Sequence, residues 1–116
     1  MSDPLSGIGT REGAGWWELS VADAAPRLDV FDLVDVREPH EFTGELGHVA
    51  GARSVPLATV DPRTGFDRDR PVLVICRSGG RSARAAAALV AAGFPRVYNL
   101  TGGMLAWNEA RLPIAR

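Results

Sequence analysis

Four short runs rich in apolar and β-branched residues, 31–36, 53–55, 72–75 and 97–100, read as strands along this chain. Val72-Leu73-Val74-Ile75 is apolar at every position, the pattern of a strand covered on both faces. Residues 16–19 supply a further short edge strand. Between these runs the pattern turns helical. Ser20 is placed to cap residues 21–25, with Asp23 favourable in the first turn. Pro39 fits the first position of a helical turn through Glu41 and Phe42. Residues 81–92 are dominated by alanine, with Leu89 and Val90, and stop before Gly93. A last helix over 103–109 closes before Pro113. Strands alternating with helices predict an α/β domain with a mainly parallel sheet and right-handed crossovers. The small alanines let the 81–92 helix lie close to that sheet.

In such sheets ligands gather at the carboxyl ends of the strands. Cys76 stands at that end of the most hydrophobic strand and opens the loop Cys76-Arg77-Ser78-Gly79-Gly80-Arg81-Ser82. Gly79 and Gly80 let the backbone curl and aim several N–H groups inward. A helix starting near Arg81 adds its positive end, and Arg77, Arg81 and Arg84 raise the local potential. Each effect favours thiolate over thiol, so the Cys76 pKa is expected below about 8.5. An inert core cysteine has no use for paired glycines and flanking guanidinium groups. Such a nest suits either an oxyanion or the charged outer sulfur of a persulfide, so the loop alone leaves sulfur and phosphate chemistry open.

Three more motifs stand around this loop in order. They are Leu33-Val34-Asp35-Val36-Arg37-Glu38, Gly47-His48-Val49-Ala50-Gly51-Ala52, and Thr101-Gly102-Gly103-Met104 running on to Trp107. With the loop they resemble the rhodanese family over roughly residues 17–107. The resemblance implies a three-layer α/β domain, a five-stranded, mainly parallel sheet with helices on both faces, and Cys76 as a sulfur carrier. Phosphatases and arsenate reductases that share the fold place arginine after five intervening residues. Here Ser82 holds that position and Arg81 comes one earlier, which resembles the shorter loop of the sulfurtransferases.

The mechanism then expected needs few residues. The Cys76 thiolate attacks the outer sulfur of a donor such as thiosulfate and expels sulfite. The loop from Arg77 to Ser82 holds the resulting persulfide, with Arg77 and Arg81 balancing charge. An external thiol, a protein acceptor or cyanide then takes the sulfur. No metal or cofactor enters. Asp35 and Arg37 are expected to order neighbouring backbone, with an anion contact for Arg37 as the functional alternative. The resemblance assigns His48 to shaping its turn, and Gly102 and Gly103 read as a tight backbone approach beside the loop. A persulfide relay to one protein partner fits the same residues.

Composition narrows the surroundings. A chain of 116 residues suits one domain, taken as 16–116 after a flexible tail over 1–15. The net charge is -1, with no clustered basic stripe, so neither nucleic acid nor an anionic membrane is expected as a partner. All 13 basic residues are arginine, which excludes Schiff-base chemistry. No apolar run approaches a membrane span, and residues 1–15 hold no signal-peptide core. The single cysteine forms no internal disulfide, so a cytoplasmic location is expected. The richness in Ala, Gly and Arg suggests a GC-rich bacterial genome. His40 and His48, without an ordered carboxylate cluster, make a poor metal site.

Overall fold

Val72, Leu73, Val74 and Ile75 are all fully buried, because the strand they form lies inside a sheet covered on both sides. A computed structural model describes residues 4–11 and 15–116 of the chain. Six strands make one sheet: β1 (Thr10–Arg11), β2 (Trp17–Leu19), β3 (Asp32–Asp35), β4 (Arg53–Ser54), β5 (Val72–Ile75) and β6 (Val97–Leu100). Their order is β1-β2-β6-β5-β3-β4, parallel throughout except for the antiparallel β1–β2 pair. Among the described residues four α-helices cover it: α1 (Val21–Ala24), α2 (Pro39–Phe42), α3 (Gly80–Ala91) and α4 (Gly103–Glu109). Two 3-10 segments, Ala25–Val30 and Leu57–Thr59, complete the connections.

Period-two alternation sorts the core into two layers. Leu73, Ile75, Tyr98 and Leu100 pack with Leu19, Met104 and Trp107 on one side. Val72, Val74, Cys76 and Val97 point to the other, where they meet Ala85, Ala86 and Leu89 of α3. The buried positions of α3, Ser82, Ala85, Ala86 and Leu89, follow helical spacing, so the alanine face lies on the sheet as expected. Because β3, β5 and β6 run parallel, their carboxyl ends share one edge, and the residues after them converge there.

The rhodanese-like α/β architecture read from the sequence is present, with one strand more than expected. That strand belongs to the N-terminal segment, which is not free in its described part. β1 pairs with β2, Leu5 is buried in the core, and Arg27 Nε donates to the Pro4 carbonyl at 3.1 Å. Apolar anchors at Leu5 and Ile8 explain this attachment. The remaining residues of the expected tail, 1–3 and 12–14, lie outside the described residues. No helix among the described residues is long and apolar enough to cross a membrane.

Candidate active site

Cys76 follows the last residue of β5 and turns toward α3, where it is only 1% exposed. The chain reverses within three residues, and Gly79 adopts φ +110°, a conformation that disfavours any side chain. The Gly79 N–H therefore aims at the sulfur, with N 3.0 Å from Sγ. Gly79 also precedes the first residue of α3 and offers no side-chain cap. The Cys76 sulfur stands where such a cap would stand, at the positive end of a 12-residue helix. Ser82 adds its hydroxyl from the first turn, 3.3 Å from Sγ. Burial pushes the Cys76 thiol up. The Ser82 hydroxyl and the amides of Ser82, Gly79 and Ser78 pull it down, and the balance lies below the ordinary thiol value.

The loop is held from behind by the start of α4. The Met104 and Leu105 amides donate to the Cys76 and Arg77 carbonyls at 2.9 and 3.0 Å. Gly103 makes this approach possible: its φ is +54°, and a Cβ there would strike the Cys76 carbonyl oxygen and sit 2.7 Å from the Arg77 carbonyl. Gly102 also has positive φ, but a Cβ there would meet the Ala106 side chain of α4, so the close approach to the loop carbonyls is made by Gly103. Of the paired loop glycines, only Gly79 uses a left-handed conformation. Gly80 is the first residue of α3, and a Cβ placed on it would meet nothing within 4 Å. Its smallness leaves room beside the loop.

The arginines divide sharply. Arg37 is 1% exposed, and its guanidinium bonds both Asp35 carboxylate oxygens, the Gly47 carbonyl at 2.7 Å and the Glu41 carbonyl at 3.2 Å. These bonds tie it to backbone carbonyls and to Asp35, and none of its side-chain nitrogens is left without a bond to the protein. Arg81, expected to face a bound sulfur, gives Nη1 and Nη2 to Glu41 at 2.7 and 2.9 Å. That pairing holds the Glu41 carboxyl at about 2 and raises Arg81, which also feels the charge of Cys76. The Arg77 side chain is exposed and makes no hydrogen bond or ion pair among the described residues. Two openings flank the loop. One, of about 360 Å³, is lined by Arg77, His40, Glu41 and Glu45, and the other, of about 490 Å³, by Arg81, Arg84 and Leu57. His48 stacks on Phe42 at 3.6 Å and bonds its carbonyl through Nδ1, which shapes the turn after α2. Among the described residues no three His, Cys, Asp or Glu side chains are grouped to hold a metal.

Two residues of this site carry no short-range signal, and a third carries a faint one. Glu41 reads as part of an exposed turn, and its partner Arg81 is 40 positions away. Glu18 lies on the three-residue β2, which β1 covers so that it is not the edge strand expected, and bonds Asn99, 81 positions on. Asn99 offered one clue: it is a polar residue at the same phase as Val97 on a strand that is otherwise buried and apolar, Tyr98 apart. That phase turns it toward α3 and Ser82.

A sheet edge with a cysteine at a helix N-terminus, ringed by backbone donors and arginines, defines a loop-cysteine α/β domain. A family model described as Rhodanese-like domain matches residues 20–110, and the chain belongs to that family. It is 46% identical over 77 residues to the uncharacterized protein YqhL of Bacillus subtilis (strain 168), spanning 66% of this chain and 60% of that one. It is 41% identical over 78 residues to the thiosulfate sulfurtransferase GlpE of Stutzerimonas stutzeri, spanning 66% of this chain and 70% of the relative. The crystal structure of a rhodanese-related protein from Thermoplasma volcanium aligns with TM-score 0.74 and 29% identity over 84% of this chain and 96% of the other. Relatives named as sulfurtransferases place the chain in a sulfurtransferase family.

Proposed function

We propose that this protein moves sulfane sulfur from thiosulfate or a persulfide donor to an external thiol, through a persulfide on Cys76. The observation that carries this reading is the Cys76 sulfur at the α3 N-terminus, taking the Gly79 amide and the Ser82 hydroxyl. The thiolate attacks the outer sulfur of thiosulfate. A new S–S bond forms while the old one breaks, and sulfite leaves with the electron pair. The persulfide keeps one negative charge on its outer sulfur, beside the loop amides and the open space at Gly80. An incoming thiolate then takes the outer sulfur, and Cys76 returns as thiolate. No proton transfer is needed in either step when the attacking groups are already ionised. With no second cysteine in the chain, the acceptor is another molecule, a small thiol or a partner protein. A lone unpaired cysteine suits a reducing compartment such as the cytoplasm.

The thiosulfate relative at 41% identity supports the choice of donor. Sulfite release from thiosulfate and hydrolysis of an aryl phosphate, measured side by side, test the reading. Sulfite release with a one-sulfur increase in intact mass supports it. Phosphate release without that adduct overturns it.

A further inference from the structure

The Ser82 hydroxyl carries one hydrogen, yet three acceptors surround it: Cys76 Sγ at 3.3 Å, the Gly79 carbonyl at 3.2 Å, and Asn99 Oδ1. Ser82 and Asn99 are almost wholly buried, so no bulk water relieves this competition. The orientation of Asn99 is fixed by its neighbours. Its Nδ2 faces the Glu18 carboxylate at 2.9 Å and the Gly79 carbonyl at 3.1 Å, both of which only accept. Flipping the amide would set its oxygen against two acceptors, so Oδ1 must face Ser82. Glu18 is itself anchored, accepting from Trp16 Nε1 at 2.8 Å and from Thr101 Oγ1 at 2.7 Å.

We propose that Asn99, held in place by Glu18, is a positioning residue that competes with the Cys76 sulfur for the hydrogen of Ser82. This rests on the reading of Cys76 as the reacting atom. When Sγ is a thiolate, the hydroxyl turns to it. When Sγ is bonded to a second sulfur its charge has moved outward, and the hydroxyl turns back to Asn99. When the outer sulfur leaves, the hydroxyl returns to the re-formed thiolate. The hydrogen stays covalently on Ser82 throughout, so no proton is gained or lost. Asn99 thus sets how strongly Ser82 favours the charged sulfur, and keeps the thiolate from being so stabilised that it loses nucleophilicity.

A double-mutant cycle read by Cys76 alkylation rate against pH tests this, and needs no sulfur transfer, so it fails or stands apart from the sulfurtransferase reading. Ser82→Ala should raise the thiol pKa by about one, a tenfold rate loss at a pH below it. Asn99→Leu should lower it, because the hydroxyl is freed for the sulfur. In the Ser82→Ala background Asn99→Leu should change nothing. The charged groups around the sulfur are Arg77 on the loop, Arg81 on α3, Glu41 on α2 and the Asp35–Arg37 pair at the carboxyl end of β3. All are kept in the cycle and cancel. Should Asn99→Leu not fold, Glu18→Gln loosens the same amide, and only the part of its shift that disappears with Ser82→Ala counts. An equal shift with and without the Ser82 hydroxyl, or a rise on freeing it, overturns the proposal.

Discussion

The floor and the rim of the Cys76 loop are built from different materials. The floor is buried and mostly backbone: the Gly79 amide, the start of α3 and the Ser82 hydroxyl surround the sulfur, and the start of α4 grips the loop carbonyls. The rim is made of long side chains in or near water, with Arg81 tied to Glu41 and Arg77 free. Backbone dipoles fixed by the fold need no reorganisation when charge appears on sulfur. A solvated guanidinium is screened and pays side-chain entropy to hold one position. The floor is therefore expected to set the state of the sulfur, and the rim to act on what approaches it.

The largest effect should come from the centre of the floor. Cys76→Ser keeps the volume and removes the only thiol, so sulfite release and the one-sulfur mass adduct should both vanish while the fold persists. Turnover that survives in this variant would break the covalent scheme. Next comes Gly103→Ala, which changes neither charge nor any reacting atom. Its added methyl meets the loop carbonyls from a backbone conformation with φ +54°. A stability loss of at least about 2 kcal/mol is expected, together with an upward move of the Cys76 thiol as the loop is displaced. Denaturant unfolding and thiol alkylation against pH read the two consequences. An unchanged thiol titration in a destabilised protein would show that the floor does not depend on α4.

Much of the floor was legible in the sequence because its parts are local. A fully apolar strand, a cysteine, a glycine able to turn left-handed and an alanine-rich helix follow one another within 20 positions, and each speaks through backbone geometry. The thin strand at 17–19 and the helix starts were legible for the same reason. The rim partners were not. Glu41 and Arg81 meet only because β3 and β5 are adjacent and parallel, and nothing near Glu41 announces that. β1 was missed because a two-residue strand has no periodicity, and it is held by pairing with β2 and by Leu5. Gly80, as free to turn as Gly79 by sequence, begins α3 instead, and only Gly79 makes the left-handed turn. Two glycines in sequence reveal freedom, but only the fold decides which one uses it.

Glu41→Gln then weighs the rim. The paired carboxyl is held at about 2 against an ordinary 4.5. A depressed carboxyl stabilises the fold above its unfolded pKa and loses that contribution as pH falls through the folded one. The Arg81 side chain is 36% exposed, so the pair is worth about 1 kcal/mol rather than what the full shift implies. The parent should exceed Glu41→Gln by that amount from neutral pH down to about 5, and the gap should close below about 4.5. A gap that does not change with pH would assign the cost to packing rather than to charge.

The smallest effect is expected at Arg77, and it bears most directly on the division between floor and rim. The side chain is exposed and unpaired among the described residues, and no lowering of the Cys76 thiol traces to it. Arg77→Ala should therefore leave the alkylation profile in place. It borders the opening beside the loop, so removing it should weaken thiosulfate through encounter and binding. For a solvated charge this amounts to a loss of about three- to fivefold in kcat/KM, carried by KM rather than kcat. The loss should shrink as ionic strength rises, since added salt screens an exposed charge and leaves buried backbone dipoles nearly untouched. If Arg77→Ala instead returns the thiol to the pKa of free cysteine, the rim activates the sulfur and the backbone floor is only its seat.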